Sequence, residues 1–227
     1  MTVPLVVTRR MTDFPADSHT IDRYEATGGY RQAKRACSMT RDGLVEDIKQ
    51  CGLLGRGGAA FSAGLKWSFL APARPAYLVI NGDESEPGTF KDRLLMEKDP
   101  HLCIESFVIS AFAMKANTTY IYIRGEYVYA TRVLEKAIAE AYAKGYLGKN
   151  ILGSGFDHDM VVHRGAGAYI CGEETALMTS LEGNRGLPRL PSSESSRPVS
   201  SPQMYAPAPR ETCSDRLKPE PRMSSPR

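Results

Sequence analysis

"TYIYIRGEYVYATRVLEKAIAEAYAKG", residues 119–145, decides the fold. Its first five residues are β-branched or aromatic, the composition of a buried strand. Tyr127, Ala130, Leu134, Ala137, Ile138 and Ala141 then recur at helical spacing, and Gly145 provides a left-handed stop. A strand running directly into a helix is half of a crossover unit, so the same pattern should recur on either side. "YLVIN" (77–81) and "DMVVH" (159–163) are matching short strands. "PHLCIESFVISAFAMKA" (100–116) reads as a helix with Cys103, Phe107, Ala111 and Met114 along one stripe, and "GEETALMTSLEG" (172–183) as another. Strands alternating with helices imply right-handed crossovers and a mainly parallel sheet covered on both faces. The expected class is therefore α/β, a Rossmann-like layered domain with ligands at the carboxyl ends of its strands.

Outward from this core the sequence changes character. Residues 1–51 read as a mixed N-terminal arm followed by a short helix in "DGLVEDIKQCG" (42–52), with Leu44, Val45 and Ile48 on its apolar face and Gly52 as its stop. Residues 52–186 hold the glycine-rich loop and the alternating units. From 187 to 227 the chain has nine of its fifteen prolines, nine serines and no glycine, and such a tail is expected to be disordered.

Seven of the 29 basic and four of the 26 acidic residues lie in that tail, which leaves 22 of each in residues 1–186. The layered part is thus electrically neutral and carries no nucleic-acid footprint. With 227 residues and 42% hydrophobic content the chain can bury one core. No apolar run approaches the ~20 residues of a membrane span, and the N-terminus lacks a signal-peptide core, so a cytoplasmic location without direct membrane insertion is expected. The five cysteines are scattered without C-x-x-C spacing. They predict neither a disulfide framework nor a self-contained metal site.

Three loops concentrate chemistry. "GRGGAA" (55–60), within "GLLGRGGAAFSAGLKWSF" (52–69), formally satisfies G-x-G-x-x-G/A, but it follows a helix near Cys51 instead of a strand, which disfavours an ordinary dinucleotide fingerprint. Its bare backbone still lets amides approach a phosphate or an aromatic ring, with Arg56 and Lys66 as cationic donors. The bland alternative is a turn joining two helices. "NGDESEPGTFKD" (81–92) crowds four carboxylates at the end of the first strand. Ionised Asp and Glu accept hydrogen bonds and so suit ribose or ribityl hydroxyls; a Ca²⁺ or Mg²⁺ site and a solvated acidic turn are the rivals. "HRGAGAYICGEETA" (163–176) repeats the order strand, glycines, helix, and its Glu173 and Glu174 also suit a helix start. No nucleophile, base and orienter set argues for hydrolysis.

Together the three loops resemble the family of 51 kDa type flavoproteins of proton-pumping NADH:quinone oxidoreductase, respiratory complex I. "GRGGAAFSAGLKWSF", "NGDESEPGTFKDRLLME", "YIYIRGEY", "GYLGKNILGSGFD" and "GAGAYICGEETALMTSLEGNRG" occur in order across residues 52–186. Flavoprotein modules of NAD-dependent hydrogenases and formate dehydrogenases are similar and remain alternatives. The resemblance implies FMN and NAD(H) as cofactors, with hydride transfer from NADH to FMN and onward one-electron transfer to iron–sulfur clusters and quinone. It also implies as partners the other peripheral-arm subunits, a [2Fe–2S] thioredoxin-like subunit and the large iron–sulfur subunit.

By the same resemblance Gly55, Arg56, Gly57, Gly58 and Lys66 would contact the flavin or its phosphate. Asn81, Asp83, Glu84 and Ser85 would line the flavin site, with Tyr169, Gly172, Glu173 and Glu174 completing it. Phe61 and Phe69 would flank the adenine, and Glu86, the candidate catalytic residue, would face the nicotinamide. Relative to the family pattern, Leu54 replaces Arg, Ala60 replaces Gly, and Ser62-Ala63 replaces Pro-Thr. After Gly186 the family continues through further nucleotide-binding residues, a ubiquitin-like domain and four cysteines that bind a [4Fe–4S] cluster. The tail's single Cys213 cannot replace those ligands, so a truncated or frameshifted product, at the limit a non-catalytic nucleotide-binding or assembly fragment, is the competing expectation.

Overall fold

The computed structural model describes residues 7–56, 60–69 and 75–189, and the backbone of 203–205. Strands β1 (Tyr77–Gly82), β2 (Thr118–Ile123) and β3 (Asp159–Arg164) form a parallel sheet in which Ile80 lies beside Ile121 and Ile121 beside Val162. β4 (Gln203–Tyr205) adds an antiparallel strand on the free edge of β1. It lies within the segment expected to be disordered. These three residues pair with the β1 edge, whose unpaired backbone offers a ready template; the rest of the tail lies outside the described residues.

Side chains alternate across the sheet with period two, as strand geometry requires. Leu78, Ile80, Ile121, Ile123, Met160 and Val162 face one core, whereas Val79, Tyr120, Tyr122 and Val161 face the other. The first core lies under the crossovers. β1 leads through α6 (Lys91–Lys98) and α7 (Pro100–Met114) to β2, and β2 leads through α8 (Val128–Ala143) to β3. Because the strand order advances in one direction, right-handed crossovers put all these helices on one face. The second face is covered by α9 (Glu174–Leu181), through Leu177 and Leu181, and by Cys171.

Two local readings are revised. α6 was not expected: "KDRLLMEK" is mostly charged and abuts α7 with only Asp99 between them, Pro100 occupying the first turn of α7. In α7 the buried residues include His101, Ile104, Glu105, Val108, Ala111 and Phe112, while Cys103 and Phe107 are half-buried. The helix packs against α6 and α8, the sheet and the N-terminal helices at once, so its apolar surface is not one stripe.

The N-terminal segment folds as α1 (Arg9–Asp13), α2 (Ile21–Ala26), α3 (Arg31–Ser38) and α4 (Arg41–Gln50), with α5 (Ala63–Ser68) following the glycine loop. Thr20 and Thr40 cap α2 and α4. One buried carboxylate ties this layer down. Glu105 of α7 accepts hydrogen bonds from the amides of Tyr30 and Ala33, each at 2.9 Å, and from the Tyr24 hydroxyl. It thereby satisfies amides at the start of α3 that have no partner within that helix. His101, one turn away, bridges the Tyr30 hydroxyl at 2.9 Å and Glu140 of α8 at 3.0 Å.

Candidate functional site

The glycine loop closes as a small hairpin. Leu54 bridges Ser62, the Gly55 amide donates to the Phe61 carbonyl at 2.9 Å, and Ala63 donates to Leu53 at 2.8 Å. Ser62 then caps α5. Gly57 and Gly58 lie outside the described residues, and Arg56 is exposed. Phe61 and Phe69 stand 45% and 53% exposed with ring centroids 6.4 Å apart, two apolar faces open to an aromatic partner. Ala60 sits at φ +50°, a left-handed conformation that strains a Cβ-bearing residue. Ala60→Gly is therefore expected to stabilise the chain by about 0.5–1 kcal/mol, the relief of strain outweighing the extra unfolded-state entropy; a lower midpoint of urea unfolding would contradict this.

From α5, Lys66 reaches across to Glu174 at the start of α9, Nζ to Oε1 3.0 Å. This ion pair joins the first loop to the third. The second and third loops are joined by Asn81, whose Nδ2 donates to the Gly172 carbonyl at 2.9 Å while its Oδ1 accepts from the Asp83 amide at 3.2 Å. Glu86 accepts from the hydroxyl of exposed Tyr169, and this bond, first of all, raises the Tyr169 pKa. All three loops thus converge beside the carboxyl ends of β1 and β3.

Within the acidic loop the carboxylates behave differently. Asp83 is 1% exposed, and neither of its oxygens has a hydrogen-bond partner of good geometry; the buried Ser85 hydroxyl has none either. Burial pushes the Asp83 carboxyl above the usual range, with Ser85 and the Arg124 charge acting in the opposite direction. Asp83 faces the Gly172 backbone, since a Cβ on Gly172 would lie 3.4 Å from its Oδ2. Glu84 instead turns to α6 and bonds the amides of Asp92 and Arg93 at 2.6 and 2.9 Å.

The third loop depends on close backbone approach. A Cβ on Gly165 would stand 2.4 Å from the Tyr122 hydroxyl oxygen, so only glycine fits there unless the ring shifts. Tyr122 is in turn stacked on His163, whose pKa burial lowers, consistent with a packed neutral ring. Glu173 is the N-cap of α9. Its carboxylate accepts from the amides of Thr175 and Ala176 at 3.0 and 2.8 Å, and although burial opposes ionisation, the Thr175 and Ala176 donors hold its pKa below the ordinary value. The cap's contribution is complete above the unfolded carboxylate range near pH 4.3 and is lost as pH falls through the lower folded value. Glu173→Ala is expected to cost about 1 kcal/mol at neutral pH and progressively less in acid, as read by thermal unfolding at several pH values.

Sequence reasoning missed Tyr127 and Arg124 as neighbours of the site. Tyr127 reads as a helix-face apolar residue, yet its hydroxyl reaches Glu84 at 3.3 Å. Nothing in its spacing signals this. Among the described residues no group of three or more His, Cys, Asp or Glu side chains could hold a metal ion, and no helix is long and apolar enough to cross a membrane.

A family described as the Nuo51 FMN-binding domain matches residues 48–199. The chain is 57% identical over 184 residues to the second F subunit of the NADH-quinone oxidoreductase of Rhizobium meliloti (strain 1021), covering 80% of this chain and 44% of that protein. It is 54% identical over 173 residues to the corresponding F subunit of Escherichia coli (strain K12), covering 74% and 39%. A solved structure of an NAD+-reducing [NiFe]-hydrogenase in the H2-reduced state superposes with a TM-score of 0.57 at 36% identity, over 69% of this chain and 27% of that one. The chain therefore spans less than half the length of these relatives, and over its matched residues it belongs to the Nuo51 FMN-binding domain family.

Proposed function

We propose that the chain is an NADH-oxidising flavoprotein module, binding FMN and NAD(H) at the convergence of the three loops. The observation that carries the reading is the buried Asp83 carboxylate with the Ser85 hydroxyl beside it, neither of which has a hydrogen bond of good geometry, so that acceptor capacity is left over. Leaving such groups unmatched is costly, and hydroxyl donors of a ribityl chain are the partners that chemistry supplies. The residues thus fit FMN. Asn81, Asp83 and Ser85 would hold the ribityl side, Gly172, Glu173 and Tyr169 would close the other side, and the bare loop at Gly55 with Arg56 and Lys66 would meet the phosphate. FMN, when bound, supplies the acceptor for the hydride and the means of passing electrons on singly.

The chain's own part is positioning. Phe61 and Phe69 would offer faces to the adenine of NADH, while Glu86, bonded to Tyr169, would face the nicotinamide end. Hydride transfer between stacked rings needs alignment and exclusion of water more than proton transfer, which suits a site without an acid–base triad. Assembly with a [2Fe–2S] thioredoxin-like subunit and a large iron–sulfur subunit at the cytoplasmic membrane face belongs to the same proposal and follows from the family resemblance; the relatives' names say only that each is a subunit of an NADH-quinone oxidoreductase.

The full chain mixed with FMN should quench flavin fluorescence, and NADH should then bleach the flavin absorbance band under anaerobic conditions. Absence of both overturns the reading. A second reading, a nucleotide-binding fragment without turnover, draws on the coverage of only 39–44% of the quinone oxidoreductase relatives. NADH:ferricyanide turnover excludes it.

A further inference from the structure

We infer that Glu84 is a positioning residue: its carboxylate moors the acidic loop to the first turn of α6 and to Tyr127, and so sets the direction in which Asp83 and Ser85 face the nucleotide site. This rests on the flavin-site reading above, and it gives Glu84 a different task from its neighbours. Both of its oxygens are already engaged. Oε1 accepts from the Asp92 amide at 2.6 Å, and Oε2 from the Arg93 amide at 2.9 Å and the Tyr127 hydroxyl at 3.3 Å. Three of the roughly four acceptor sites of the carboxylate are thus taken by the protein itself.

The donors are ones that need an acceptor. The first amides of a helix have no partner inside it, and the N-cap of α6, Phe90, offers no side-chain oxygen. Glu84 supplies one from outside the helix, at the end where a negative charge is also favoured by the dipole. Tyr127, which precedes α8, is itself flanked by Arg93 and Arg124, whose guanidiniums lie 5.8 and 6.0 Å from its ring centre. The loop is therefore fastened to both crossover helices that start near the carboxyl ends of β1 and β2.

The backbone records the same constraint. Glu84 adopts φ +46°, a conformation that non-glycine residues hold only where the surroundings impose it. That twist sends the Glu84 side chain to α6 while leaving the acceptors of Asp83 and the hydroxyl of Ser85 buried without partners on either side of it. Release of the mooring would let both turn to solvent, and the site would lose its pre-set acceptors although Glu84 itself touches no ligand.

The test uses the full chain with Glu84→Ala, Glu84→Gln and the milder Tyr127→Phe, each alone and combined with Asp83→Asn. In Glu84→Ala the amides of Asp92 and Arg93 should exchange hydrogen at least tenfold faster, and the Asp83 carboxyl, followed by ¹³C NMR, should titrate at lower pH than in the parent. FMN affinity should fall about tenfold, with a smaller fall in Glu84→Gln, which retains one acceptor oxygen. In the Asp83→Asn background the same change should cost less than about twofold, because a positioning residue acts through the group it positions. Equal losses in both backgrounds would show direct contact with the flavin and overturn the inference, as would unchanged exchange at Asp92 and Arg93. Should the parent chain bind no FMN, the functional reading fails by itself, while exchange and carboxyl titration still decide the mooring.

Discussion

Glu105→Ala is expected to lower the free energy of unfolding by about 4 kcal/mol, the scale for removing one member of a buried charged network. The substitution strands three donors at once: the amides of Tyr30 and Ala33 at the start of α3, and the Tyr24 hydroxyl, all buried. Each donor left without a partner costs about 1–3 kcal/mol, offset in part where water enters the space. Glu105→Gln should cost roughly half as much, because one carbonyl oxygen still accepts while the new NH₂ opposes a backbone N–H. Urea unfolding followed by circular dichroism measures both. A loss under about 1 kcal/mol for the alanine variant would mean that the N-terminal helices are held by apolar contact alone.

Asp83→Asn should separate stability from binding. In the chain without nucleotide the carboxyl is buried and unpartnered, and burial raises its pKa. A folded-state pKa above the unfolded value near 3.9 means that folding is penalised as pH rises through the interval between the two. The asparagine variant avoids that penalty, so it should match the parent below about pH 4 and exceed its stability above the folded-state pKa. Its FMN affinity should meanwhile fall about tenfold to a hundredfold, since a charged acceptor bonded to ligand hydroxyls contributes on the order of 1.5–3 kcal/mol. Thermal scans across pH and a flavin-fluorescence titration report the two effects. An asparagine variant that is less stable at neutral pH and equally tight for FMN would refute both.

Much of the fold was legible because its elements carry their periods openly. The strands at 77, 119 and 159 and the helix at 128–143 follow from β-branched runs and from Ala130, Leu134, Ala137 and Ala141 at helical spacing. The loops at the site were legible as chemistry, through glycines and carboxylates placed directly after strands. The pairings inside the site were not. Lys66 and Glu174 are 108 residues apart, and their 3.0 Å contact depends on how α5 and α9 are carried around the sheet. Glu84 and Asp83 are adjacent and chemically alike, yet a single left-handed φ sends one to a helix start and leaves the other buried in the site. Glu105 was hidden for another reason. Its partners are mostly backbone amides, which leave no mark in residue type, and in the sequence it looked like one polar residue within an apolar helix.

The sheet is walled unequally. Among the described residues, one face lies under α6, α7, α8 and the packed N-terminal helices, whereas the other is met by the eight residues of α9 and the short segment around Cys171. The loops that converge on the candidate site are attached to this thinner wall through Lys66–Glu174 and Asn81–Gly172. Fewer described side chains pack on α9 than on the helices of the opposite layer, so amide exchange along Glu174–Leu181 is expected to be faster than along Pro100–Met114. Under the flavin-site reading proposed above, added FMN should slow exchange along Glu174–Leu181 first, because Lys66 and Asn81 already tie that segment to the other two loops.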